Sequence, residues 1–310
     1  MIRIGIIGED HRIYRHINTI KNIPEFEYKG LYYPDETSAT NIPRNNKLKR
    51  FLSLEDFLNS IDAIDIISTK PELYEIVIAA LRRSKHICIS PLLLKSHEQA
   101  SKIIKLAYEA NIILTVQKSA KYNAALNSVL ERLSGARLIE VQHHVALKSN
   151  HSDNSIFSVI INDLDIIHTI VRSDSKHIKA CGITFMDSKP EIINARLEYD
   201  NGCVANISCS NMALKNNHIA TFILKNEIIK IDFNSNKIQI ILPGKNNFRN
   251  KPRFNLKTES SKIAPNDPLY YEFISFRDTI INNSKTLSNL EDGFKSLLTA
   301  FKIFEKVHEI

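Results

Sequence analysis

Asn162, Asp165 and Thr169 fall on one face of a helical segment, and polar side chains at that spacing could hold a substrate hydroxyl. His168 follows Asn162 at about 600° of helical rotation, roughly 120° off that face, which keeps its imidazole away from the group. Gly8 closes the β-branched run Ile2-Arg3-Ile4-Gly5-Ile6-Ile7. A glycine where a strand opens into a helix suits either a bare turn or a cradle that lets backbone approach a phosphate. Lys118 follows another apolar run, Ile112 to Val116, and could bring an ammonium group to the same edge. The blander reading of Lys118 is a solvent-facing lysine. Cys88, Cys181, Cys203 and Cys209 show no metal-type spacing, so no metal site is expected, and they read as reduced, packed thiols.

The elements that must position these groups come in two grammars. Up to about Lys121, short apolar strands alternate with amphipathic helices: strands at Ile2–Ile7, Tyr28–Tyr33, Ala63–Ile67, His86–Ile89 and Ile112–Val116. Ser53 and Ser96 cap two of the intervening helices, Ser96 with Gln99 three residues on. Continuous apolar strands alternating with helices predict a parallel sheet covered on both faces, an α/β doubly wound (Rossmann) domain over residues 1–121. From Tyr122 the strands follow one another directly, at 138–147, 178–185, 192–199, 204–209, 219–224, 227–233 and 237–242. Asp200-Asn201-Gly202 supplies a hairpin turn, a helix spans about Ser155 to Val171, and two helices close the chain. That pattern predicts a C-terminal α+β domain, residues 122–310, with an open, mainly antiparallel sheet. Apolar residues at alternate positions of the open face point to a homo-oligomer through that sheet.

The chain has 310 residues, 43% hydrophobic and 24% charged, a balance that can bury two cores. No apolar stretch reaches the ~18 residues a membrane span requires. The first strand begins at residue 2 and leaves no room for a signal peptide, so a cytoplasmic protein is expected. The net charge of +7 accompanies an abundance of Lys, Asn and Ile with only 8 Gly, a drift that weakens arguments from any single lysine. Two basic runs, Arg44 to Arg50 and Lys245 to Lys262, fit either solvated loops or phosphate binding. Neither continues into a periodic basic face, so no nucleic-acid partner is expected.

Taken in order, Ile4-Gly5-Ile6-Ile7-Gly8, Asp62 to Thr69, Ser84 to Pro91, Lys121-Tyr122-Asn123, Asn162 to Ile167, Leu197 to Ala205 and Glu291-Asp292-Gly293 resemble the Gfo/Idh/MocA family of NAD(P)-dependent oxidoreductases. The resemblance implies NAD or NADP bound around Gly8, Asp10, His11, Arg12, Ile13, Tyr33, Ser68, Thr69 and Pro91. It also implies a sugar-like, perhaps nucleotide-linked, small-molecule substrate. It places Ser90 at the family's catalytic lysine, and Ser158 and Asn162 at its aspartate and histidine. In the three-glycine phosphate loop only Gly8 is retained, with Asp10 and Ile13 in the other places. Tyr33 stands where a strand-end acid holds the ribose, with Asp35 two residues on.

Ser90 can donate a hydrogen bond but cannot offset developing negative charge as a cation does. Neither Ser158 nor Asn162 exchanges a proton near neutral pH. Tyr122, beside the substrate in family members, is the surviving acid candidate, with packing as its alternative role. Two functions therefore stand: an NAD(P)-dependent oxidoreductase acting on a hydroxyl or carbonyl, or an inactive descendant kept as a ligand-binding or protein-interaction subunit.

Overall fold

The computed structural model describes residues 1–8, 12–33, 48–68, 70, 73–147, 155–185, 190–243, 256–283 and 287–309. It divides into two units, Met1–Ser119 with Leu269–Leu298, and Ala120–Pro268 with Thr299–Ile310.

In the first unit, β1 (Ile2–Gly8), β2 (Phe26–Tyr32), β3 (Arg50–Phe51), β4 (Ala63–Ile67), β5 (His86–Ile89) and β6 (Leu114–Val116) form a sheet in the order β3-β2-β1-β4-β5-β6. Every pairing is parallel. The helices between them are α1 (Arg12–Lys21), α2 (Leu54–Asn59), α3 (Leu73–Arg82) and α4 (His97–Glu109). Ser53 and Ser96 accept hydrogen bonds from first-turn amides of α2 and α4, as their positions before those helices predict. All five residues of β4 are buried, the signature of a strand covered on both faces.

The first unit is not one continuous stretch of chain. Leu269, Phe273 and Phe276 of α7 (Pro268–Asn282) lie in the same buried cluster as Ile4, Ile17 and Phe26. The first stretch ends at Ser119, beside the boundary expected between residues 121 and 122, and the difference from the expected division into 1–121 and 122–310 is that Leu269–Leu298 joins the first unit. The first unit lacks a complete core until α7 returns to it, and α8 (Leu287–Glu305) is shared between the units.

The second unit holds α5 (Ala124–Val129), β7 (Leu138–Ala146), α6 (Ile156–Ile170), β8 (Ser175–Ile183), β9 (Ile192–Tyr199), β10 (Val204–Ala213), β11 (Asn217–Ile223), β12 (Ile228–Asp232), β13 (Lys237–Pro243), β14 (Leu256–Lys262) and β15 (Val307–Glu309). Its sheet has nine strands, ordered β14-β13-β12-β11-β7-β10-β9-β8-β15. Only β7–β10 and β8–β15 pair in parallel among the described residues. The Asp200-Asn201-Gly202 turn joins β9 to β10, with Gly202 at φ +82.

Two expectations change here. The end of the second basic run, residues 256–262, is the edge strand β14, and residues 44–47 and 245–255 lie outside the described residues. The open sheet face is polar rather than apolar. Along β9, Ile193, Ala195 and Leu197 are buried while Asn194 and Arg196 are exposed, and along β10 Ala205, Ile207 and Cys209 are buried. The apolar alternation thus faces this unit's own core. Glu140, Gln142, Lys179, Arg196, Asn206 and Ser208 instead line a shallow hollow of about 520 Å³.

Candidate functional site

In the first unit the strand order reverses between β1 and β4, and ligands of open α/β sheets bind outside the strand carboxyl ends at such a point. Gly8 ends β1 opposite Ile67. A Cβ at Gly8 would stand 2.7 Å from the Ile67 carbonyl oxygen, so β4 itself requires glycine here. Ile13, in the family's third-glycine place, is fully buried at the start of α1 and seats that helix by apolar packing. Arg12 is half-buried, and Asp10, His11 and Thr69 lie outside the described residues. Tyr33 is 6% exposed and packs into the core, with the Arg50 guanidinium 5.7 Å from its ring centre.

Ser68 and Ser90 follow β4 and β5, and both are buried. Ser68 Oγ accepts the Lys70 amide at 3.1 Å, closing a turn. The Ser90 amide donates to the Ile66 carbonyl at 2.9 Å, and Pro91 opens a short 3₁₀ turn. Gly8, Ser68, Ser90 and Pro91 thus lie along one sheet edge, with small or hydroxylic side chains and no cation among them. Lys118 lies just past β6. Its amide donates to the Glu272 carboxylate and its ammonium to the Asp292 carbonyl at 3.4 Å.

Behind that edge lies a buried polar group with no role in the sequence reading. Asp65, in the middle of β4, is 0% exposed; its carboxylate contacts His16 Nδ1 of α1 at 2.7 Å and accepts Gln117 Nε2 at 2.8 Å. A carboxylate in an apolar sheet needs such partners. Burial, with the negative charges of Asp65 and Glu272, pushes the neighbouring Cys88 thiol well above its ordinary pKa, so it is an inert thiol.

In the second unit Ser155 caps α6, accepting the Ser158 amide at 3.2 Å. Ser158 and Asn162 are half-buried, one helical turn apart on the same face. Asp165 does not share their exposure; it is 2% exposed, and Thr169 turns its hydroxyl back to the Asp165 carbonyl at 2.7 Å. The expected face therefore reduces to Ser158 and Asn162. Tyr122 is half-buried, with the Lys121 ammonium 4.7 Å from its ring centre and its carbonyl accepting Asn266 Nδ2 at 2.8 Å. His168 stands edge-on to Tyr199, consistent with its place off the Asn162 face.

A second unforeseen cluster sits beneath α6. In register across β11, β7 and β10, His218, His143 and Cys209 are lateral neighbours. Asp163, 0% exposed, descends on this row: Oδ1 lies 2.9 Å from His143 Nδ1 and 2.9 Å from His218 Nε2, and Oδ2 accepts Cys209 Sγ at 3.2 Å. The two imidazoles stack with centres 3.7 Å apart, and Phe233 covers the other side of His218. Burial alone would raise the Asp163 carboxyl, but the adjacent His143 and His218 imidazoles win and hold it well below the usual range. Burial pushes the His218 imidazole down, and burial with Asp163 pushes the Cys209 thiol well up. The available signal was Asp163 itself, an acid on the apolar face of a helix.

No helix among the described residues is long and apolar enough to cross a membrane. Residues 2–118 match the GFO_IDH_MocA family, described as an oxidoreductase family with an NAD-binding Rossmann fold. Over 304 residues the chain is 20% identical to UDP-N-acetylglucosamine 3-dehydrogenase from Acidithiobacillus ferrooxidans, covering 97% of this chain and 96% of that protein. A solved structure of that dehydrogenase superposes with a TM-score of 0.87 at 19% identity, covering 99% of this chain and 97% of that one. A 3-ketoreductase from Actinomadura kijaniata, solved with NADP and TDP-benzene, reaches 0.82 at 13% identity, covering 100% and 98%.

Proposed function

We propose that the chain is an NAD(P)-dependent oxidoreductase acting on a hydroxyl or carbonyl of a nucleotide-linked sugar, a reading supported by the match of residues 2–118 to the GFO_IDH_MocA family, whose members carry an NAD-binding Rossmann fold. The observation that carries this reading is the similarity to a nucleotide-sugar dehydrogenase over 97% of the chain, so that both units are matched rather than the cofactor fold alone. NAD(P)H, when bound, supplies the hydride. Gly8, Ser68 and the turn at Ser90-Pro91 form the backbone edge that receives the dinucleotide, with Asp10, His11, Arg12 and Thr69 as further candidates, while Ile13 and Tyr33 are buried in the core and serve packing. In carbonyl reduction Tyr122 gives the proton to the substrate oxygen, Asn162 and Ser158 hold neighbouring hydroxyls, and Ser90 donates a hydrogen bond where a cation would bind more strongly. A second copy meets the polar sheet face, where Glu140 and Arg196 offer opposite charges to each other across a two-fold axis.

A specific observation favours a second reading, an inactive descendant that binds a ligand or a protein. Ser90, Ser158 and Asn162 carry no group that titrates near neutral pH, and the Lys118 ammonium is engaged by the Asp292 carbonyl. Titrating NADH and NADPH, then following nicotinamide absorbance with UDP-N-acetylglucosamine, separates the two. Turnover lost in Tyr122→Phe supports the enzyme, whereas nucleotide-sugar binding without turnover supports the descendant.

A further inference from the structure

We propose that His143, Asp163 and His218 form a binding site for one divalent transition-metal ion of the zinc class, which fastens α6 to β7 and β11. The three donor atoms come from three elements and lie within 4.8 Å of one another. Asp163 is 0% exposed and the His143 and His218 side chains 16% and 14%, which encloses the site yet leaves an entry along the imidazole edges.

Spacing does not by itself separate a metal set from a hydrogen-bonded one, because donor atoms 2.9 Å apart are at hydrogen-bond distance and need to open only to roughly 3.3 Å around a tetrahedral ion with bonds of about 2.0–2.1 Å. His218 decides between them. Its Nε2 lies 2.9 Å from Asp163 Oδ1 but outside hydrogen-bonding geometry, so a buried ring nitrogen aimed at a carboxylate has no hydrogen-bond partner. Buried polar atoms ordinarily find one. An ion seated beside Oδ1 would use that lone pair, with His218 turning about χ2 to open its stack on His143.

Ligation uses the ionised carboxylate and the lone pairs of deprotonated ring nitrogens, which Asp163, His143 and His218 can all offer. His143 takes the ion through Nδ1, so any ring proton it keeps in the loaded site is on Nε2. Cys209, donating to Oδ2, aims the carboxylate so that Oδ1 faces the imidazoles, the outer-shell role that orients a ligand. Two imidazoles and one carboxylate favour zinc, cobalt or nickel over magnesium or calcium, which prefer all-oxygen sets. The donors are far apart in sequence, which is why no spacing motif announces them.

The test uses the full chain stripped with EDTA and titrated with Zn(II) by calorimetry, then with Co(II) by visible absorption. The expected result is one ion per chain, a raised thermal midpoint, and Co(II) ligand-field bands without thiolate charge-transfer intensity. Asp163→Asn and His218→Gln should each abolish stoichiometric binding, and Cys209→Ala should weaken it about 10–100-fold. If the variants fail to fold, the wild-type stoichiometry and Co(II) spectrum decide alone. No stoichiometric ion in the wild type overturns the proposal, as do undiminished binding in folded variants or strong thiolate charge transfer.

Discussion

Replacing Gly8 with alanine separates a glycine kept for phosphate from one kept for packing. The added Cβ would lie 2.7 Å from the Ile67 carbonyl oxygen and 3.2 Å from Ile67 Cβ. Gly8 and Ile67 are register partners in adjacent parallel strands, so relief requires β1 and β4 to part at their carboxyl ends. Overpacking of this kind costs about 1–3 kcal/mol. Gly8 is not among the glycines at positive φ, so alanine suffers no backbone strain and regains about 0.4–1 kcal/mol by restricting the unfolded chain. The net expectation is a loss of about 1–2 kcal/mol. For a unit of this size that corresponds to roughly 2–8 °C in Tm. Calorimetry without nucleotide measures it directly, and far-UV circular dichroism follows the same transition in a chain without tryptophan. A Tm unchanged within about 1 °C would refute the packing argument and leave Gly8 to the cofactor alone.

Other outcomes follow from the same geometry. NADH should bind weakly, because losing the strand-end acid removes a charge-assisted bond of about 1.5–3 kcal/mol, roughly tenfold for each 1.4 kcal/mol, while NADPH should bind no worse; sub-micromolar NADH affinity by calorimetry contradicts this. Asp65→Ala leaves His16 and Gln117 without their carboxylate partner and should cost about 1–3 kcal/mol for each group left unsatisfied in urea unfolding, whereas a loss under 1 kcal/mol in all would mean that these contacts contribute little. Ser90→Lys with Ser158→Asp and Asn162→His should raise hydride transfer to UDP-N-acetylglucosamine-derived ketone if the scaffold still binds cofactor, since acid–base help contributes about 10²–10⁴-fold; no gain despite measured NADPH binding argues against those positions. Arg196→Glu should lower the oligomeric mass seen by light scattering, and a wild type that is already monomeric removes the polar-face contact.

The fold is legible where burial is two-sided. The all-buried β4 and the Ser53 and Ser96 caps follow from residue type alone, because a strand inside a parallel sheet tolerates little but apolar side chains. Edge strands escape that constraint. In β14 the residues Lys257 to Lys262 are exposed, so no apolar alternation marks them, and their charges suit an edge that must not recruit another strand. α7 is read correctly as a helix, yet its place in the first unit rests on Phe273 and Phe276 finding the core of β1 and α1, which local pattern does not encode.

The chemistry divides along a related line. The strand-end placement of Gly8, Ser68 and Ser90, though not their role, follows by counting along the chain, because the sheet edge fixes where they lie. Charged groups in the interior are different. Asp65 and Asp163 each break an apolar pattern, and the partners that make each tolerable, His16 with Gln117 and His143 with His218, come from elements distant in sequence. An acid in an apolar stretch therefore signals that polar partners exist without naming them, since an unpaired buried carboxylate would shift its pKa and neutralise. Ser90, Ser158 and Asn162 are the converse case. These side chains carry no charge that needs compensation, so their surroundings do not mark a site, and binding and turnover measurements have to test their role.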